Sequence, residues 1–211
     1  MAKDQRSATG PGPGRRAEYA ELTKQAILEA ARTLFTEQGY FATKVDDIAR
    51  TARVAPATVY AVGGGKSGLL RTLMVAGTST ETITEILTQI RTAPEPRGLL
   101  TFLINATRQF FEVWSPLMRQ VVAAAPQEPS VRESMEIAHR SLHGGLRLTA
   151  QRLDELGALR EGLTVARATD ILWLNLCNAA YFIRTDDLGW SLDASEEWLN
   201  ETLPPLLLKT D

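Results

Sequence analysis

The chain has 211 residues and a net charge of −2, so bulk charge does not make it a polyanion binder. Apolar residues are 44% of it, enough for a real core, yet no uninterrupted apolar run of about 18 residues suggests a membrane span. Cys177 stands alone, which excludes an internal disulfide. With no apolar leader at the N-terminus, a reducing, cytoplasmic setting is expected.

The charge is unevenly spread. Residues 1–66 hold ten Lys/Arg against seven Asp/Glu, and the remainder thirteen against eighteen. A basic front on an acidic body suits a DNA-binding head, although a solvated charge fluctuation would look the same.

Residues 1–17 are rich in Gly, Pro and small polar residues and read as a disordered tail. Lys3, Arg6, Arg15 and Arg16 make it basic, as a solubilising leader or as an arm on phosphates. From Tyr19 to Gln38 the stripe Ile27, Ala30, Ala31, Leu34 and Phe35 predicts a helix, with Gly39 as its left-handed C-terminal residue.

The stretch Thr43 to Lys66 is the most informative. Thr43 with Asp46 suggests a capping box, and Val45, Ile48, Ala49 and Ala52 form one apolar stripe. Arg53-Val54-Ala55 reads as a tight turn, and Pro56 opens a second short helix through Tyr60. Two short helices at a fixed angle are the geometry that places one of them in a DNA major groove. Ala61 to Gly65 then reads as a flexible link.

A long helix is expected from Lys66 to about Thr92, with its stripe running from Leu69 to Ile90. Pro94 and Pro96 end it. Further helices are expected over Leu99–Trp114, from Pro116 through Val122, from a Ser130–Glu133 capping box to about Leu156, over Thr164–Arg184, and from an Asp193–Glu196 cap to Pro204-Pro205. No period-two strand pattern stands out. The expected fold is all-α, with about nine helices: a tail at 1–17, a helix-turn-helix head at 18–66 and a larger body at 67–211.

The chemistry is sparse. Gly65-Lys66-Ser67 hints at a phosphate loop, but Tyr60 stands where that pattern needs Gly. His139 and His143 share a helix face with Glu136 one turn earlier, and no further ligand completes a metal site. Two histidines this close together build no catalytic triad, so neither an enzyme, a metal nor a cofactor is expected. Phe110, Trp114, Met118, Trp173, Asn175, Asn178 and Tyr181 mix aromatic bulk with amides. They make either plain core or an apolar ligand pocket with a few polar anchors.

From Ala26 to Leu70, the segment AILEAARTLFTEQGYFATKVDDIA, the triplet TVY and the following K-x-x-LL resemble the N-terminal domain of TetR-family transcriptional regulators. The resemblance implies a homodimer joined through its last two long helices, with a DNA-binding head and a ligand-binding body on each subunit. It implies a repressor that leaves a palindromic operator when a small, largely apolar effector binds. Lys44, Ala55, Ala57, Thr58, Tyr60 and Lys66 match the family's DNA-facing positions, and Thr43 and Arg53 complete the expected contact set. Thr58 and Tyr60 suit phosphates, Ala55 and Ala57 offer methyl contacts, and Arg53 suits a guanine or a phosphate. Lys66 opens a helix, where its charge opposes the dipole and a phosphate would relieve the conflict. The chain departs from the pattern at Arg53, where the turn usually has Gly, and at Pro204-Pro205, which would shorten the final helix; Ala55 also gives the second short helix no cap, and Gly63-Gly64-Gly65 fills the link in place of an aromatic. The missing cap and the Gly-rich link motivate an alternative, a small-molecule-binding dimer whose head no longer grips DNA strongly.

Overall fold

The computed structural model describes residues 13–76 and 80–209. Within them the chain is all-helical, with ten helices and, as its only extended pairing, an isolated bridge between Leu159 and Leu208. It divides into two compact units, Met1–Leu73 and Met74–Asp211.

The first unit holds α1 (Pro13–Gln38), α2 (Val45–Ala52), α3 (Pro56–Gly63) and most of α4 (Lys66–Ala76). Helix α1 begins six residues before Tyr19, so residues 13–17 are helical and not tail. Pro suits the first helical position, and Arg16, Ala17 and Glu18 after it are compatible with a helix. Residues 1–12, where the rest of the expected tail falls, lie outside the described residues. The expected stripe Ile27, Ala30, Ala31, Leu34 and Phe35 is buried, and Gly39 adopts φ 89°. Tyr40, Ile48, Val59, Leu69 and Leu70 complete the core of this unit.

The second unit holds α5 (Thr80–Thr92), α6 (Pro96–Ala124), α7 (Pro129–Glu155), α8 (Val165–Leu176), α9 (Asn178–Phe182) and α10 (Leu192–Leu207). One apolar cluster joins them through Ile90, Leu103, Ile104, Leu146, Leu172 and Leu203. Residues 77–79, in the middle of the long helix expected from Lys66 to Thr92, lie outside the described residues.

Several boundaries differ from expectation. Pro116 does not open a new helix but lies inside α6, and Pro204 and Pro205 lie inside α10. A proline removes one ladder bond; Leu117, Met118 and Val121 in α6, and Leu199, Leu203 and Leu207 in α10, bury enough apolar surface around these positions to offset it. The cap of α7 is Glu128 followed by Pro129, not Ser130. The cap of α10 is Ser191, whose hydroxyl accepts from Ala194 N at 3.0 Å. The helix expected over Thr164–Arg184 breaks at Cys177, which is extended at φ −70° and ψ 160°. It resumes as α9 and ends in a π-type turn over Ile183–Asp187.

Candidate functional site

The head is built by close approach. Gly64, at φ 66°, ends α3 and donates its N–H to Tyr60 O at 2.8 Å. A Cβ added at Gly68 would lie 1.7 Å from Gly63 O, and one added at Gly63 would lie 2.3 Å from a Leu69 methyl. Only hydrogen fits at Gly68, so α3 and α4 meet backbone to backbone there, while a side chain at Gly63 would have to displace Leu69. Residues 61–65 are therefore not a flexible link: Ala61–Gly63 belong to α3, and Gly64 and the buried Gly65 form a tight corner.

Two polar ties fix the loop between α1 and α2. Thr43 is 1% exposed and its hydroxyl faces two carbonyls, Leu34 O at 3.2 Å and Gly39 O at 2.9 Å. Thr43 is thus neither the cap of α2 nor a side chain that can reach DNA; its β-hydroxyl holds α2 to the end of α1. The cap position belongs to Lys44, whose N–H donates to Asp47 Oδ2 at 3.3 Å. Lys66 Nζ donates to Tyr40 O at 2.8 Å and lies 4.6 Å from the centre of the Tyr40 ring. The cation expected to need a phosphate already has a carbonyl and an aromatic face inside the head.

Arg53 ends α2 at φ 56°, the one non-glycine residue with positive φ among the described residues. Val54 N donates to Ala49 O at 2.9 Å and Arg53 N to Arg50 O at 3.2 Å, the paired bonds of a Schellman ending. That turn aims α3 away from α2. Val59 on α3 is buried and Thr58 half-buried, while Ala55, Pro56, Ala57, Tyr60 and Ala61 are exposed. Ala55 precedes Pro56 with no side-chain cap, as its residue type requires. Lys44 and Arg53 are exposed as well. The head thus brings an exposed α3 face and two cations to its surface and takes Thr43 out of the set.

The expected pocket residues of the body fall into separate groups. Phe110 and Trp114 stack on α6, with ring centres 6.3 Å apart. Met118, one turn further on, is buried. Trp173 on α8 meets His139 at 5.5 Å and His143 at 5.7 Å, both on α7. Burial pulls the His139 pKa below its ordinary 6.5, with Glu136 opposing weakly. Asn175 spends its amide on Ile171 O at 2.8 Å, and half-buried Asn178 starts α9 just after the break. Tyr181 is buried, stacks on Phe111 at 4.6 Å and shares a 3.2 Å hydrogen bond with Thr107. Among the described residues, no ring contact joins the Phe110–Trp114 pair to Trp173.

Two features went unseen in the sequence. A surface cavity of about 300 Å³ opens where α5 meets α6, lined by Gln89, Pro94, Leu99 and Phe102 among others. None of the expected pocket residues borders it. Arg184, 5% exposed, donates Nε to Ser195 Oγ at 2.7 Å and stacks 4.6 Å from the Tyr181 ring. Its Nη2 has no hydrogen-bond partner, and burial lowers its pKa. No local pattern in the sequence signals a buried arginine at the end of an apolar helix.

The short helix pair, its tight turn and the exposed second helix coincide with residues 27–73, which match the model of bacterial regulatory proteins of the tetR family. Over that segment the head is similar to those of TetR-family regulators. The helical layout of the described residues is also similar to that of solved TetR-family regulators. NalD, the secondary repressor of the MexAB-OprM multidrug efflux pump in Pseudomonas aeruginosa, superposes with a TM-score of 0.69 at 25% identity, over 92% of this chain and 100% of NalD. PfmR, a TetR-family regulator from Thermus thermophilus, gives 0.64 at 24% identity, over 86% and 96%. SmeT in complex with triclosan gives 0.67 at 18%, over 89% and 92%. At their identities PfmR and SmeT show a shared fold. No curated protein matches the sequence. No helix among the described residues is long and apolar enough to cross a membrane.

Proposed function

We propose that this chain is a TetR-family regulator, a ligand-responsive repressor that binds a palindromic operator as a homodimer and leaves it when a small, largely apolar effector binds in the body. The observation that carries the reading is the head: an exposed α3 and two exposed cations, Lys44 and Arg53, on a unit held by glycine contact and carbonyl ties. Tyr60 and Thr58 would set the head on phosphates, and the N-terminal part of α3 would face base edges. Two heads related by a twofold axis would address half-sites about 34 Å apart, or a multiple of that.

The effector side rests on the aromatic groups at Phe110–Trp114, Trp173 and Tyr181, with Asn178 as a polar anchor. A neighbour in fold, SmeT, is in complex with a small molecule, triclosan. The dimer side rests on exposed apolar residues of α8 and of the π-type turn after α9, Leu174 at 69% and Ile183 at 52% exposure. The effector would act by favouring a body geometry whose two heads no longer fit the operator spacing. The alternative, a dimer with a failing head, drew on a flexible link and a missing cap; the tight glycine corner removes the first of these motives.

A gel shift across a salt series tests the reading. Tight binding to one palindrome should weaken steeply with salt, and apolar compounds should release it while changing the fluorescence of Trp114 and Trp173. Tyr60→Ala should lower operator affinity at least tenfold with helix content unchanged. Affinity independent of both sequence and salt would sink the proposal.

A further inference from the structure

The exposed surface of α3 has an unusual chemistry for a base-reading element. Ala55, Pro56, Ala57 and Ala61 present only methyl and methylene groups, and the one polar tip that is fully outside is the Tyr60 hydroxyl. The Tyr60 ring lies over Gly65, where an added Cβ would be 3.5 Å from it, so the phenol is held at the C-terminal end of the helix. Residues 41–66 contain no Asn, Gln or His, which removes the usual bidentate partners of adenine. The exposed cations of this stretch are Lys44, Arg53 and Arg50, the last paired with Asp47 at 3.1 Å, and all three lie outside α3.

With Thr58 and Tyr60 set on phosphates as in the reading above, the rest of this face offers base pairs no donor or acceptor. The one apolar mark that distinguishes base pairs in the major groove is the C5 methyl of thymine. The glycine contact between α3 and α4 matters here, because methyl-to-methyl contact rewards only a surface held to within fractions of an ångström. We propose that α3 reads thymine methyl groups, through Ala55 and Ala57, and that the half-site is recognised by apolar contact in place of hydrogen-bonded readout. This inference rests on the operator-binding reading above and adds to it the base and the atom that are recognised.

The test uses the full-length protein and duplexes selected by it from a randomised pool. Each thymine of the selected half-site is replaced in turn by deoxyuridine, which removes the methyl and keeps every hydrogen-bonding group. At one or two positions per half-site, affinity should fall about fourfold, the worth of one buried methyl-sized group, and the loss should recur at the symmetric position. At those same positions a G·5-methylcytosine pair, which restores the methyl alone, should bind better than G·C. Ala57→Gly, with helix content checked by circular dichroism, should erase the thymine-over-uridine preference at one position. Equal affinity for thymine and deoxyuridine everywhere, measured on the unaltered protein, overturns the methyl readout while leaving operator binding intact. Failure to select any duplex sequence overturns the operator reading itself.

Discussion

The two units of this chain solve the same packing problem by different means. The body joins long helices through one apolar cluster, in which Ile104, Leu146, Leu172, Leu199 and Leu203 are all fully buried. The head has two helices of eight residues each, too short to be stable alone and too short to bury much area. It compensates with contacts that depend on fit: Gly63 against Gly68, the Thr43 hydroxyl on α1 carbonyls, and Lys66 on Tyr40 O. Area tolerates small changes of shape, whereas backbone contact does not. The head should therefore be the more brittle unit per atom changed, and the body the more costly per residue emptied.

The largest effect expected is in the body. Leu172→Ala, at a site with no exposure, should cost about 2–5 kcal/mol, read as an earlier loss of tryptophan fluorescence on heating or in denaturant. All four tryptophans lie after residue 73, so that signal reports the body. Gly68→Ala comes next. Its Cβ meets Gly63 O, and the overpacking should cost about 1–3 kcal/mol, seen as lost DNA affinity and an early step in far-UV circular dichroism. If Gly68→Ala shifts the tryptophan transition as much as Leu172→Ala does, the two units are not stabilised separately.

Arg53→Gly works in the opposite direction. A left-handed backbone costs a side chain about 1 kcal/mol, so the head should become more stable by a comparable amount. A drop in operator affinity despite that gain would place the Arg53 guanidinium on DNA. The smallest expected effect is on pH dependence. His139 has its pKa depressed by burial, so the unfolded chain takes up the proton first as pH falls through the ordinary 6.5. The contribution of the neutral imidazole is complete above that value and declines on acidification toward the folded pKa. His139→Gln should flatten the stability profile between pH 7 and 5; an unchanged slope would assign it to other groups.

Much of the head was legible because its signals are local. The α1 stripe, Gly39 at its end, the turn at Arg53 and the uncapped Ala55 follow from periodicity and backbone preference, and each appears where the residue types put it. The glycine corner was misread because glycine is used both where a chain must bend freely and where two backbones must touch. The cap of α2 slipped by one residue because Thr43 has two uses for its hydroxyl and the carbonyls of α1 claim it. The break at Cys177 carries no Pro or Gly to announce it. The grouping of the pocket aromatics depends on which faces of α6, α7 and α8 meet, and no single helix holds that information.

Fold class, the order of elements and the presence of a helix-turn-helix head are properties of short windows of sequence, where spacing and propensity act within a turn or two. What Thr43 and Lys66 do, whether residues 61–65 bend or grip, and where Trp173 and Arg184 end up were decided by tertiary contact. The bond from Lys66 to Tyr40 spans 26 residues and the Arg184 bond to Ser195 spans 11. A side chain with two possible partners takes the one that folding brings within reach, and that choice is made across the molecule rather than along the chain.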